Sequence, residues 1–380
     1  MPRADLADLV ERGAQVMTVC NACRYCEQYC PVFPAMERRT SFAKADLAYL
    51  ANLCHNCGEC LYACQYAPPH EFGINVPLTL AEIRVRSYEE YCWPRALGGS
   101  FRRQGVRTAF LLAGAFAVVM WLLASIAGRA RLWPTDRSAD FYAVIPHAVM
   151  VAAFGSVFVF SLIAIGTGLV RFWRDVNHNG RGASGPADGV RPFVRRARPF
   201  GRAFHDALTL RHLQPGSVDC VSSEEDRSLW RRWFHHFTLY GFLLCFASTV
   251  VAAIYHTVFG WLAPYSYSSL PVILGALGGG GLILGPAGLF LLRRERDPAL
   301  GGGILKGLDE SFIALLFLTA VTGLALLFLR HQSGMGVVLV IHLAFVLALF
   351  VTLPYGKFVH SLYRLLALLI DAREERSTSR

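Results

Sequence analysis

The sequence predicts an all-α protein in two parts, a small helical N-terminal domain and a six-helix membrane bundle. Three observations predict it. Eight cysteines stand in two matching runs before residue 65. Six long apolar stretches follow residue 103. No convincing alternation of polar and apolar residues marks a strand anywhere.

The cysteine runs are Cys20, Cys23, Cys26, Cys30 and then Cys54, Cys57, Cys60, Cys64, each spaced C-x2-C-x2-C-x3-C, with Pro31 after the first. This is the ligand pattern of a protein that holds two [4Fe–4S] clusters, in which the fourth cysteine of each run serves the other cluster. Cys20, Cys23, Cys26 and Cys64 are therefore expected to hold one cluster, and Cys54, Cys57, Cys60 and Cys30 the other. Structural zinc and disulfides are the competing readings; zinc needs only four ligands and rarely repeats this triple spacing. Residues 1–103 then form a small, mainly helical ferredoxin-like domain. Leu6, Leu9 and Val10 recur at helical spacing before the first run, and Phe42 to Leu53 reads as a helix between the runs. Cys92, Cys220 and Cys245 are expected to be ordinary residues, Cys245 inside a span. Cluster ligation needs free thiolates and so a reducing compartment. Met1–Val19 carries Asp5, Asp8, Glu11 and Arg12 and shows no secretory signal.

At 54% hydrophobic residues and a mean hydropathy of +0.38, the 380-residue chain is too apolar for an ordinary soluble protein. The apolar stretches lie at about 106–127, 141–171, 234–258, 269–292, 311–329 and 336–353. Each is near or above the ~20 residues that cross a bilayer, and the second is long enough to tilt or protrude. Gly278–Gly281, Gly285 and Pro286 interrupt the fourth; the glycines read as close helix packing. The membrane domain is expected at 104–370 and a cytoplasmic tail at 371–380.

The net charge of +10 sits mostly in loops. The loop at 173–232 holds Arg174, Arg181, Arg191, Arg195, Arg196, Arg198, Arg202, Arg211, Arg227, Arg231 and Arg232, and the next inner loop Arg293, Arg294, Arg296 and Lys306. The opposite loops are poorer, although Arg129, Arg131 and Arg137 dissent. The bias puts both termini and the cysteines in the cytoplasm. Segment 177–226, rich in glycine and proline, reads as a mobile loop. Its basic run reads as topology signal and lipid contact, not nucleic-acid binding.

Histidines fall near the span ends: His147, His235, His236, His256, His342 and His360. Ionisable groups in spans are costly and usually functional, and neutral imidazoles on neighbouring helices are good axial ligands for haem b. His342 and His360 are 18 residues apart, about five helical turns, which puts both on one face roughly 27 Å apart if the helix continues through Pro354 and Gly356. Topology pairs His256 with His342 on the outer side, and His235 or His236 with His360 on the inner side. His147 competes for the outer site. One or two haems are expected.

The runs RYCEQYCPVFPAMERR and LCHNCGECLYACQYAPPHEFGINVP, the stretch RRWFHHFTLYGFLLCFASTVVAAIYH and the C-terminal LPYGKFVHSLYR together resemble the tricarballylate/citrate-utilisation protein B family over essentially the whole chain. The chain is also similar to the C-terminal half of a cobalamin-biosynthesis fusion protein. The resemblance implies an inner-membrane iron–sulfur and haem protein. Such a protein reoxidises the reduced flavin of a separate tricarballylate dehydrogenase on the cytoplasmic side and passes electrons to membrane quinone. LPYGKFVH and the preceding His342 are similar to the last span of nitrate-reductase gamma subunits, where both histidines ligate haem, so a nitrate-reductase-gamma-like bundle is expected. The third span departs from that pattern in its histidine spacing. No G-x-G-x-x-G lies between a strand and a helix, so no FAD or nicotinamide site is visible. The same kind of module serving cobalamin synthesis or heterodisulfide-type chemistry, and a membrane redox sensor, are the alternatives.

Overall fold

The computed structural model describes residues 6–128, 141–180, 197–213, 229–301, 303 and 306–378. Among these residues there are helices and turns and no strand. Cys220, Arg129, Arg131, Arg137, Arg181, Arg191, Arg195, Arg196 and Arg227 lie outside them.

The N-terminal part is built from α1 (Leu6–Cys23), α2 (Val32–Glu37), α3 (Lys44–Leu53), α4 (Glu59–Tyr62) and α5 (Val76–Tyr91). Leu9, Gly13, Val16 and Met17 are the buried positions of α1, one helical face. They pack on α3, which is buried from Ala45 to Leu53. The Asn75 side chain caps α5 by accepting from the Leu78 N–H at 3.0 Å, with Pro77 in the first turn.

The six predicted spans are present as helices long and apolar enough to cross a membrane. The first is the part of α6 (Arg95–Gly128) that follows a kink at Gln104 (φ −139°, ψ 37°). After the short α7 (Phe141–Val144) come α8 (His147–Asn179), α9 (Ala197–Leu208), α10 (Trp230–Thr257), α11 (Leu270–Arg294), α12 (Lys306–Leu329), α13 (Met335–Thr352) and α14 (Val359–Thr378). The 33 residues of α8 extend roughly 50 Å at 1.5 Å per residue, against a hydrocarbon core of about 30 Å. The surplus carries Phe172 and Val176 into the N-terminal core. There the Tyr91 hydroxyl donates to Asp175 at 2.5 Å.

Helices α10 and α11 form the tightest pair, with backbones touching along a glycine seam. A Cβ on Gly278 would stand 2.8 Å from the Cys245 backbone nitrogen and the Gly241 carbonyl oxygen. The glycine run is thus close helix packing, as its composition suggests.

Two expectations need correction. The helix carrying His342 does not continue to His360: α13 ends at Thr352 and α14 begins at Val359. Pro354 lacks the N–H for a helical bond and its ring clashes with the preceding turn. Segment 177–226 is not a loop throughout, because it contains α9, which packs against α14. In the 371–380 stretch α14 continues as far as Thr378 and is tied to the end of α2. Arg39, 1% exposed, bridges Asp46 at 2.9 Å and Glu374 at 2.8 Å, and Arg38 reaches Asp371 and Glu374. Removing one member of such a buried pair costs about 3–5 kcal/mol, so α14 is clamped to the cysteine-bearing part rather than left in the bundle.

The seam makes a direct prediction. Gly278→Val overpacks the α10–α11 contact and is expected to cost about 1–3 kcal/mol. Gly280→Ala, with nothing within 4 Å of the added Cβ, is expected to cost nothing measurable. Thermal unfolding of the two variants in detergent checks this.

Candidate functional site

The first cysteine run begins inside a helix. Cys20 and Cys23 occupy the end of α1, and the chain then turns tightly, with Arg24 at φ 54° and the Tyr29 N–H donating to the Cys26 carbonyl at 3.0 Å. The second run starts where α3 stops. Cys54 leaves the helix in extended conformation, and Asn56 (φ 55°) and Gly58 (φ 98°) reverse the chain before α4. Glycine is suited to position 58 because that φ is strained for any other residue. The Asn56 N–H donates to the Cys54 sulfur at 3.3 Å.

The fold brings Cys64 near Cys20 and Cys26, and Cys30 near Cys54 and Cys57. Burial pushes the Cys20 and Cys26 thiols up to about 12, with Cys64 the strongest charge opposing ionisation of each and Cys23 adding to it. In the other group burial again dominates: Cys30 is raised further by Cys57 and Cys54, and Cys60 by Cys57, Cys30 and Cys54. Cys60 also senses Cys26, so the groups are adjacent. Cys30, Cys54, Cys57 and Cys60 line a common cavity walled by Tyr29 and Phe33. Thiols this reluctant to ionise alone give up their protons when a metal takes the sulfur, and four of them around one apolar cavity suit an iron–sulfur cluster. Among the described residues no three His, Cys, Asp or Glu side chains converge tightly enough for a lone ion.

Arginines from α5, α10, α14 and the turn after α11 hold the second loop. Arg84 donates to the Cys54 carbonyl at 2.6 Å and to the Ala51 carbonyl at 2.7 Å. Arg364 of α14 reaches the Cys54 carbonyl at 3.4 Å and bonds the His55 imidazole. Arg231 of α10 reaches the His55 and Asn56 carbonyls at 3.4 and 3.5 Å, and Arg296, just past α11, also bonds the Asn56 carbonyl. The turn between α11 and α12 docks from the same side. The Asn56 and Asn75 amides donate to the carbonyls of Leu300 (3.0 Å) and Ala299 (2.9 Å), and the Tyr62 hydroxyl to Asp297 (3.1 Å). The cysteines, α14 and the arginine-flanked ends of α10 and α11 therefore share one face of the bundle.

At that face His235 and His360 meet, with ring centroids 6.1 Å apart. With metal–imidazole bonds of about 2 Å on each side, two rings facing one iron stand roughly 6 Å apart. The Nδ1 of His360 lies 2.8 Å from the Lys357 carbonyl oxygen. A carbonyl only accepts, so Nδ1 carries the proton and Nε2 keeps its lone pair, the usual tautomer of a ligating histidine. Burial, then Lys357 and His235, hold His360 well below the ordinary histidine range, so it is neutral. His236 turns away, toward Trp233 (6.2 Å) and Tyr240 (5.8 Å).

At the opposite end the competing histidine takes the place beside His256. The neighbour of His256 is His147, with ring centroids 3.9 Å apart and Tyr142 beside both. The His256 Nδ1 is buried without a partner among the described residues. The expected His256–His342 pair is not formed. His342 lies 3.1 Å from the Thr322 hydroxyl, which donates to the Leu318 carbonyl and so accepts from His342 Nδ1. That leaves Nε2 of His342 unprotonated. Sequence reasoning missed the roles of His55, Arg84 and Arg364. His55 lies inside the second cysteine run, the one signal that could have singled it out.

The chain matches two family models, "Citrate utilization protein B" over residues 103–380 and "Citrate utilization protein B Fer4-like domain" over residues 13–90. It is similar to citrate utilization protein B of Escherichia coli, with 48% identity over 363 residues, covering 95% of this chain and 92% of the relative. No solved structure matches. The chain belongs to the citrate utilization protein B family.

Arg364→Ala tests the cradle. The His55 ring and one of the bonds to the Cys54 carbonyl lose their donor, with a cost of about 1–3 kcal/mol. Amide hydrogen exchange is expected to quicken across residues 54–60 and to stay unchanged across 20–26.

Proposed function

We propose that the chain is a membrane electron-transfer protein that reoxidises the reduced flavin of a partner tricarballylate, or related tricarboxylate, dehydrogenase and delivers the electrons to the quinone pool. The observation that carries this reading is the location of the second cysteine group. Its loop is bonded by Arg364, one turn beyond His360 on α14, and His360 faces His235 of a membrane helix. When bound, two [4Fe–4S] clusters and one or two b haems supply the one-electron carriers needed between a two-electron flavin and a two-electron quinone.

In this reading Cys20, Cys23, Cys26 and Cys64 hold one cluster, and Cys54, Cys57, Cys60 and Cys30 the other. His235 and His360 hold the inner haem through Nε2 of His360. On the outer side His256, beside His147, offers a second site, and His342 offers Nε2. The guanidiniums of Arg84, Arg231, Arg296 and Arg364 on the loop carbonyls would favour the reduced, more negative form of a bound cluster, and the exclusion of water would oppose it. The soluble part is residues 1–103, and the membrane part starts at the Gln104 kink. The chain lies in the cell inner membrane with the cysteines, both termini and the 173–232 loop in the cytoplasm, because Arg231, Arg232, Arg293, Arg294 and Arg296 flank the spans on that face. The printed name of the relative, citrate utilization, fits a tricarboxylate as the partner's substrate.

Three measurements test this. Cys64→Ser is expected to damage the cluster of Cys20, Cys23 and Cys26, seen as loss of one paramagnetic signal with the other retained; two unaltered signals would refute the crossed assignment. His360→Ala is expected to convert a low-spin haem to high spin or empty the site, and to stop flavin-to-quinone turnover with both clusters intact. A wild-type haem spectrum with full turnover would show His360 to be an ordinary interfacial residue. A reporter fused after Arg181 is expected to be active only as a cytoplasmic protein; activity confined to the outside would reverse the topology.

A further inference from the structure

The α10–α11 seam that packs so tightly toward the membrane centre opens at the cysteine-side end into a cleft facing the lipid. Gly241 and Gly281 line its floor, and Trp233, Tyr240 and Leu277 its exposed walls. Open to the outside along one side, it offers about 470 Å³, within the roughly 300–1,000 Å³ of small-molecule sites. Its roof is the chain just after α9, fixed by the Tyr240 hydroxyl donating to the Leu208 carbonyl at 3.2 Å and Arg232 Nη2 donating to the Thr209 carbonyl at 3.0 Å.

We infer that this cleft is where the membrane quinone docks, with its ring between the aromatic side chains at His236 and its isoprenoid tail running out over Leu277 into the bilayer. The inference rests on the electron-transfer reading above and adds the place and the residues. Three observations carry it. The cleft is apolar and aromatic, suited to a flat ring, yet polar at one end only. That end holds two groups able to meet a carbonyl. Arg232 Nε–H is buried with no partner among the described residues. His236 bonds the Thr209 backbone through one nitrogen and has the second for a ligand. Finally, His236 is the chain neighbour of His235, whose ring faces His360. One helix turn thus presents one imidazole to the inner histidine pair and the next to the lipid-side cleft.

The chemistry balances. The flavin hydroquinone of the partner loses two electrons and two protons to become oxidised flavin. The quinone gains two electrons, and each of its oxygens takes one proton from water at the same face, giving the quinol. Arg232 Nε–H donates to a quinone oxygen, and the His236 nitrogen not bonded to Thr209 accepts from a quinol hydroxyl, so the pair of side chains holds both forms. A phospholipid is the competing occupant of such a cleft. Its phosphate would need several cationic donors, and Arg232 has already given Nη2 to Thr209.

The test uses the full chain, purified anaerobically with its cofactors and placed in phosphatidylethanolamine–phosphatidylglycerol vesicles. An azido-ubiquinone analogue is photolysed with the wild type, His236→Gln and Leu277→Trp, and the labelled peptides are mapped. In parallel, protein reduced with stoichiometric dithionite is mixed with a short-chain ubiquinone and its reoxidation followed. Labelling of wild type is expected within 232–244 or 277–281. Both variants are expected to lose at least tenfold in labelling and in reoxidation rate, with unchanged haem and cluster spectra. Wild-type protein that quinone cannot reoxidise would overturn the electron-transfer reading itself. Wild-type reoxidation at full rate in both variants, with label elsewhere, would overturn the cleft assignment alone. So would loss of a co-purified phospholipid from Leu277→Trp with quinone kinetics intact, which would give the cleft to lipid.

Discussion

Everything at the candidate site depends on one set of bonds: guanidinium donors on the carbonyls of Cys54, His55 and Asn56. A loop that reverses through Asn56 and Gly58 in the left-handed region cannot satisfy these carbonyls within a helix or sheet. Left buried and unpaired, each would cost about 1–3 kcal/mol. Arg84, Arg231, Arg296 and Arg364 supply the donors from four separate parts of the chain, and in doing so fix the loop against the bundle. Burying that many cations together is unfavourable. Desolvation and the nearness of Arg84 work against the charge on Arg364, while Cys54 and Cys30 favour it. Ionised by a bound metal, the Cys30 sulfur and the Arg364 guanidinium would stabilise each other.

The clamp between Arg39 and Asp46 and Glu374 serves the same end from the opposite direction. It holds α14 against α2 and α3, so Arg364 and His360, on that helix, are positioned by the cysteine-bearing part. The break at Pro354 frees α14 for this. A continuous α13 would carry His360 and Arg364 along the membrane-helix axis. At the other side of the seam, the glycines of α11 draw α10 close, which sets His235 toward α14 and turns His236 out to the lipid-side cleft. Backbone packing between two membrane helices thus decides which of two adjacent imidazoles faces inward.

Local repeating patterns were legible in the sequence. The C-x2-C-x2-C-x3-C spacing marks cysteines that the fold does bring near one another, because three of the four positions in each run are joined by short turns. The six spans were legible because twenty apolar residues have few other uses. The meeting of His360 with the start of α10 was legible from topology alone, though not the choice of His235 over His236, which depends on helix rotation. Contacts between distant residues were not legible. His342 was paired with His256 by depth and His147 kept as its competitor; α8 brings His147 to His256, a choice that depth along the helices does not decide. The arginines that flank the spans were read as topology signals only. Sequence position shows that they lie at the interface, but not that Arg231 and Arg296 bond particular carbonyls 175 and 240 residues away.

The central claim is that this chain gathers its cysteines for two iron–sulfur clusters beside a membrane histidine pair. The most direct measurement is the content of iron, acid-labile sulfide, haem and zinc in the anaerobically purified protein. The account predicts the iron and sulfide of two four-iron clusters per chain, with haem in addition. Stoichiometric zinc with no labile sulfide would contradict it.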